Sequence, residues 1–327
     1  MRKTSKIFVA GHTGMVGSAL LRQLRDSGYS NVLIKTRQEL DLTNQAAVNA
    51  FFEQERPEYV LIAAAKVGGI MANATYPADF IYQNLAIQTN LLHAAYISGV
   101  HRLLFLGSVC IYPKHCPQPI KEEYLLTGPL EPTNAPYAIA KISGFSMCEA
   151  YNRQYDTQFL CAMPTNLFGT GDNFDLETSH VLPALIRKFH ESKVHGTPVT
   201  LWGTGQAMRE FLHVDDCARA CLFLMNLDLE EFQRLLTYHA GPLINVGNGE
   251  DISIAALAEL IQRIVGASGH IQWDLSKPDG TPRRKLDISR LQTLGWNPTL
   301  SLSQGITMTY DWYLQHAQST PLIGAQS

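Results

Sequence analysis

Ile7-Phe8-Val9-Ala10-Gly11-His12-Thr13-Gly14-Met15-Val16-Gly17 is the stretch from which the rest of the chain is best read. Ile7 to Ala10 is a short apolar run, which predicts a strand buried on both faces. Three glycines follow at the spacing GxxGxxG. Val16, Leu20, Leu21 and Leu24 then recur at helical spacing, so a helix begins inside the glycine segment, and Gly28 is placed to end it. Each glycine has a separate job in such a turn. Gly11 lets the strand turn tightly, Gly14 lets the backbone approach a pyrophosphate, and Gly17 lets the helix pack on the strand. The helix N-terminus offers free N–H groups and partial positive charge to phosphates. Strand, turn and helix in this order are the context that raises a bare glycine motif to a dinucleotide site.

At 327 residues the chain is long enough for two modest domains. Hydrophobic residues make up 46% and charged residues 17%, the composition of a globular core. A net charge of -3 argues against broad nucleic-acid or membrane binding. The apolar run after the charged N-terminus is too short for a signal peptide, and no stretch approaches the ~20 residues of a membrane helix. Cysteines stand at 110, 116, 148, 161, 217 and 221 with no CxxC pair, so no metal site is expected. Reduced thiols in the cytoplasm are the expectation.

Downstream, strand and helix patterns alternate. Strands are expected at 31–37, 59–65, 103–108 and 159–163, with helices at 44–54, 79–98 and from 136 through 151. Thr43 or Asp41 is available to cap the 44–54 helix. Gln83, Asn84 and Asn90 are polar positions of the long helix that face a cofactor or a neighbouring subunit or, for most of them, are only partly exposed. The alternation implies parallel strands with right-handed crossovers, a Rossmann-type doubly wound α/β sheet. After Gly169 the regularity loosens. Short strands at 200–205 and 209–214 flank a Gly-rich turn, Asp215-Asp216 would cap a helix, and a basic loop covers 277–285. We expect a nucleotide-binding domain over 1–168 and a smaller α/β substrate-binding domain over 169–327, with parts of 199–250 returning to the first.

The candidate chemistry follows from position. Lys35 and Arg37 stand where an acid would otherwise hold a ribose 2′-hydroxyl, and a guanidinium there pairs with a 2′-phosphate, so NADP(H) is expected. Ser108 ends a strand at the sheet's carboxyl edge. Tyr137 and Lys141 lie one helical turn apart on one face. A phenol with an ordinary pKa of about 10 is a poor acid at neutrality, and a neighbouring ammonium is expected to lower it. Ser108, Tyr137 and Lys141 together would polarise a carbonyl facing a nicotinamide.

By the glycine turn, Ser108, Tyr137 and Lys141, the chain resembles the extended short-chain dehydrogenase/reductases. Further motifs resemble the GDP-L-fucose synthase branch: Ala64 to Ile70, Cys110-Ile111-Tyr112-Pro113, Glu131 to Asn134, Pro164 to Leu167, Ser179-His180-Val181, Met208 to Asp216, and Lys277 to Arg283. The likeness spans nearly the whole chain; Val109 departs from it, where a second serine is expected. It implies epimerisation of GDP-4-keto-6-deoxy-D-mannose at C3 and C5, then NADPH-dependent reduction at C4. It implies Cys110 and His180 as the proton-transfer pair of the epimerisation. It assigns to the cofactor Gly11, Thr13, Gly14, Met15, Val16, Gly17, Arg37, Asp41, Leu42, Leu106, Gly107, Lys141, Pro164, Thr165, Asn166, Leu167 and His180. It assigns to the GDP-sugar Lys188, Trp202, Arg209 and Asp279, with Lys188 where arginine is usual. A homodimer through the helices near 79–98 and 137–155 is also implied. Read without the family, Cys110 is a small buried residue, His180 a surface histidine and Trp202 core filler. The competing functions are another sugar-nucleotide epimerase or dehydratase of this fold, and a non-catalytic NADP(H)-sensing protein.

Overall fold

The computed structural model describes residues 1–277 and 279–317. Pro278 of the basic loop and residues 318–327 of the expected second domain lie outside the described residues. The first half runs β1 (Ile7–Ala10), α1 (Met15–Asp26), β2 (Val32–Leu33), α2 (Gln45–Glu55), β3 (Tyr59–Ile62), α3 (Ile70–Thr75), α4 (Pro77–Ile97), β4 (Arg102–Leu106), α5 (Ala135–Tyr155) and β5 (Phe159–Pro164). The second half runs β6 (Asn166–Phe168), α6 (Val181–His195), β7 (Val199–Trp202), β8 (Met208–His213), α7 (Val214–Asn226), α8 (Leu229–Leu236), β9 (Leu243–Val246), β10 (Asp251–Ser253), α9 (Ile254–Val265), β11 (Ile271–Asp274), β12 (Arg283–Arg284), α10 (Ser289–Thr293) and α11 (Leu302–Ala317).

The main sheet has the order β2-β1-β3-β4-β5-β9, and every neighbouring pair is parallel. It is a doubly wound α/β sheet. The chain steps one way from β1 to β2 and then resumes on β1's other side with β3, so the strand order reverses between β1 and β3. Ligands bind outside the carboxyl ends of the strands at such a reversal. The strands are apolar on both faces because both are covered. Leu20 and Leu24 of α1 pack with Cys217, Cys221 and Met225 of α7 on one face. On the other, Phe52 of α2, Leu91 and Leu92 of α4 and Phe145 of α5 form a second core. Phe8, Phe51 and Phe52 meet there at ring separations of 4.7 to 5.9 Å. Burying each such ring contributes roughly 1.5–3 kcal/mol.

β8 is the hub of a second sheet. One of its edges takes β12 along Met208–Arg209 and β6 along Phe211–His213; the other takes β10. A third core of Leu182, Ile186 and Phe189 from α6, Leu257 and Ile261 from α9, and Ile306 and Tyr310 from α11 lies behind it. β7 pairs in parallel with β11, so the strands flanking the Gly-rich turn do not form a hairpin and belong to different sheets.

Several expectations need correction. The second strand is two residues long rather than spanning 31–37, because β1 offers partners only to Val32 and Leu33. The strands expected at 59–65 and 103–108 likewise stop at Ile62 and Leu106. Asn44 itself caps α2 by accepting from Ala47 N, while Asp41 accepts from Thr43 N and Oγ1. His213, not Asp215 or Asp216, caps α7, its Nδ1 accepting from Asp215 N at 3.3 Å. Asn84 and Asn90 are buried. Asn84 brackets Lys66 by bonding its N–H and its carbonyl, each at 3.0 Å, and Asn90 donates to Leu42 O at 2.9 Å.

Candidate active site

The glycine turn is crowded in two places and open in one. Gly11 has φ +86°, and a Cβ there would lie 2.6 Å from Ala64 Cα of the adjacent strand's continuation. A Cβ on Gly17 would overlap the Gly11 carbonyl. A Cβ on Gly14 would meet only Gly11 O, at an ordinary 3.5 Å, so protein packing does not require glycine there. Gly14 caps α1 and leaves the helix N-terminus open towards the sheet's carboxyl edge. A helix N-terminus left free in this way is the kind of backbone cradle that suits a pyrophosphate. Thr13 and Gly14 are exposed, and Met15 and Val16 are half-buried beside them.

Arg37 and Lys35 are exposed just beyond β2. Lys35 lies 3.9 Å from Glu39, whereas Arg37 is within electrostatic reach of Asp41. Leu42 packs against the second core, its carbonyl held by Asn90.

The catalytic candidates meet at the end of β4. Gly107 follows it without a side chain, since a Cβ would strike the Met163 sulfur. Ser108 Oγ accepts from Cys110 N at 3.4 Å, capping the tight turn Val109–Ile111. From α5, Tyr137 reaches the Ser108 side chain and comes within electrostatic range of Cys110. The Tyr137 ring stacks edge-on against Phe80 at 6.2 Å. Lys141 is only 3% exposed and its Nζ donates to Leu106 O at 2.8 Å.

The electrostatics reverse one expectation. Burial pushes the Tyr137 phenol up, with the Cys110 thiol adding to the rise and the Ser108 bond opposing it. Burial also drives Lys141 down to about 8. The ammonium bonds a backbone carbonyl instead of the phenol, and desolvation of both groups exceeds their mutual effect. Cys110 is raised by burial, against the pull of the Ser108 bond, Arg284 and Lys141.

His180 caps α6 in position, and loss of solvent lowers its imidazole. It is nonetheless accessible, the combination expected of a residue on a cleft wall. The loop after β3 brings this segment in. Gly69 N donates to Thr178 O at 3.0 Å, and Gly69's Cβ position lies 2.8 Å from Ser179 O. Phe80, beneath Gly68, links that loop to Tyr137. Among the described residues no hydrogen bond or ion pair joins His180 to Cys110 or Tyr137. Pro164 ends β5, Thr165 is buried with its N–H on Val246 O, and Asn166 donates to Glu210 O at 2.8 Å. Leu167 packs in the first core.

The four substrate candidates line the β7–β8 side. Trp202 is 62% exposed with Lys277 Nζ 5.6 Å from its ring centre, so it is no core filler. Lys188 donates to Thr200 O at 3.0 Å. Arg209 spends Nη1 on the carbonyls of Met208 and Thr281. Asp279 accepts from Thr204 N and Oγ1, pinning the basic loop to the Gly-rich turn. Three further buried polar groups lie nearby on different elements: Glu210 of β8, fully buried and bonded to the Gly249 and Leu286 amides; Arg284, bonded to Val109 O of the catalytic turn; and Asp172, beside the start of α1, whose carboxyl burial raises to about 7.

Among the described residues no group of His, Cys, Asp or Glu is arranged to hold a metal, no helix is long and apolar enough to cross a membrane, and all six cysteines are free.

Residues 7–235 match the family model described as the NAD dependent epimerase/dehydratase family. The chain is 56% identical over 315 residues to GDP-L-fucose synthase 1 of Arabidopsis thaliana, covering 96% of this chain and 94% of that one. It is 52% identical over 316 residues to GDP-L-fucose synthase of Escherichia coli, covering 95% and 97%. Among solved structures, a GDP-mannoheptose C4 reductase of Campylobacter jejuni with NADP bound superposes with a TM-score of 0.88 at 41% identity, covering 96% and 99%. A glycine cradle, a serine–tyrosine–lysine cluster and these full-length likenesses converge: the chain belongs to the GDP-L-fucose synthase family of NAD-dependent epimerases/dehydratases.

Proposed function

We propose that this chain converts GDP-4-keto-6-deoxy-D-mannose to GDP-L-fucose, by epimerisation at C3 and C5 and then NADPH-dependent reduction at C4. The observation that carries the reading is the meeting of Ser108, Cys110, Tyr137 and Lys141 at the carboxyl edge of the same parallel sheet whose β1 leads into the glycine turn. NADP(H) fits the residues present. The Gly11–Gly17 turn would take the pyrophosphate, the exposed Arg37 the 2′-phosphate, and Lys141 the nicotinamide ribose. When bound, NADPH supplies the hydride for C4.

The remaining chemistry belongs to the side chains. C3 and C5 both lie α to the C4 ketone, so each loses its proton as the ketone becomes an enolate. Ser108 and Tyr137 donate hydrogen bonds to that oxygen. Inversion requires one group to take the proton and another to return one on the opposite face. Cys110 and His180 divide these jobs, since thiol and imidazole exchange protons near neutrality. Tyr137, kept protonated by its burial, is suited to protonate the C4 oxygen after reduction. Arg209 and Lys188 face the diphosphate, Trp202 offers a surface for base or sugar, and Asp279 shapes the loop around them. The outer face of α4 and α5 exposes Tyr82, Ile97, Ile139 and Tyr155, which supports a homodimer. A cytoplasmic location agrees with the free thiols.

The test is NADPH oxidation with GDP-4-keto-6-deoxymannose, run in D2O with deuterium at C3 and C5 followed by NMR. The parent protein oxidises NADPH and incorporates deuterium at both carbons. Cys110→Ser still binds the ketone and loses incorporation. Normal incorporation in that variant removes Cys110 from the mechanism, and no NADPH oxidation by the parent ends the reading.

A further inference from the structure

Arg284 reaches the catalytic turn from far along the chain. It lies on β12, where it is paired in parallel with Arg209 of β8. The segment is anchored closely. Lys285 N donates to Gln118 Oε1 at 2.9 Å, Ile120 N donates to Lys285 O at 2.7 Å, and Leu286 N donates to a Glu210 carboxylate oxygen at 2.8 Å. From this base, Arg284 Nη1 donates to Val109 O at 3.0 Å. Val109 separates Ser108 from Cys110, so one guanidinium grips the turn that carries both.

The charges around the thiol leave Arg284 a distinct place. Cys110 faces Arg284, Lys141, Tyr137 and the Ser108 hydroxyl. Lys141 is committed to Leu106 O, and with a pKa near 8 its charge falls away on the alkaline side. Burial lowers Arg284 from its ordinary value, against the pull of Cys110, Cys116 and Glu131, but a guanidinium starts so high that it stays charged across the neutral range. Facing it are Cys110, Cys116, Glu131 and Arg209. Glu131 is paired to Lys114 at 3.0 Å, and among the described residues no carboxylate lies within ion-pair distance of Arg284. A buried thiol that must act as a base needs such a cation to hold its thiolate.

We propose that Arg284 is a positioning residue for the epimerisation, clamping the Ser108–Cys110 turn and setting a fixed positive charge against the Cys110 sulfur. The inference rests on the reading of Cys110 as a proton-transfer group.

The experiment measures iodoacetamide alkylation of Cys110 against pH, read on its own peptide by mass spectrometry so that Cys116 does not interfere. It compares the parent with Arg284→Gln, Arg284→Met and Arg284→Lys; two uncharged replacements are made so that one misfolded variant does not end the test. Gln and Met move the profile up by about one pH unit, slowing alkylation about tenfold in the neutral range, and Lys restores most of the loss. A profile unmoved in the folded uncharged variants, or moved equally by Lys, overturns the proposal. Deuterium incorporation in Cys110→Ser separates the two readings. If it persists, the proton-transfer role of Cys110 fails whatever the profiles show. If it is lost while the profiles do not move, only the role of Arg284 fails.

Discussion

The two ends of the proposed active site are built in opposite ways. The phosphate end is one contiguous segment, Ile7 to Gly17, in which each glycine answers to its own neighbours. The proposed catalytic end is assembled from Ser108 and Cys110 after β4, Tyr137 and Lys141 on α5, and Arg284 on β12, a strand paired with β8. In the first, backbone conformation does the work, so local sequence specifies it. In the second, long-range pairing does the work, and substitutions act through partners distant in sequence.

The sharpest way to break this contrast is within the glycine turn. Gly17→Ala sets a methyl group into the Gly11 carbonyl, with backbone on both sides and nothing able to yield, and is expected to cost about 3 kcal/mol or more. Gly14→Ala meets only an ordinary contact, so it is expected to keep the melting temperature of the ligand-free protein while weakening NADPH about tenfold. Thermal melts with and without NADPH decide; equal destabilisation by the two would mean that packing governs the whole turn. A smaller effect is expected beyond β2. Arg37→Glu replaces an exposed charge without structural bonds and should lower the NADPH-over-NADH preference by tenfold or more, roughly the worth of one charged hydrogen bond. An unchanged preference would detach Arg37 from the cofactor.

The smallest effect lies where the two ends meet. Asp172 follows Gly171, whose Cβ position is 3.8 Å from Met15 Cα at the start of α1. One carboxylate oxygen accepts from Asn173 N, while the other is buried without a partner. Burial raises the carboxyl to about 7, above its unfolded value of 3.8. The native state therefore holds a proton that the unfolded state has released between those values. Stability from this group is full at acid pH and is lost as pH rises towards 7. Asp172→Asn should thus stabilise the ligand-free protein above pH 7 by on the order of 1 kcal/mol, with no gain at acid pH. Melts across pH check it, and a gain independent of pH would point to packing instead of charge.

The contrast also explains what could be read in advance. The parallel sheet was legible because strands buried on both faces are continuous apolar runs, and because Gly28 ends the first helix. Tyr137, Lys141 and Ser108 were legible by spacing and order. The electrostatics were not: helical spacing predicted a phenol acidified by Lys141, whereas the fold buries both groups and gives the ammonium to Leu106. The sequence placed Arg284 in a basic loop and Glu210 in a short strand but gave neither a role, since what matters is the strand each pairs with and the backbone group it meets.

By itself the sequence determined the glycine cradle, the order of strands and helices, and the residue types that can polarise a ketone, because these depend on backbone freedom and short periodicities. Only the tertiary structure decided which edge of β8 receives β6, β10 and β12, and so which guanidinium lies against the catalytic turn. Pairing between distant strands is selected by the packing of the whole core, and no short stretch of the chain encodes that.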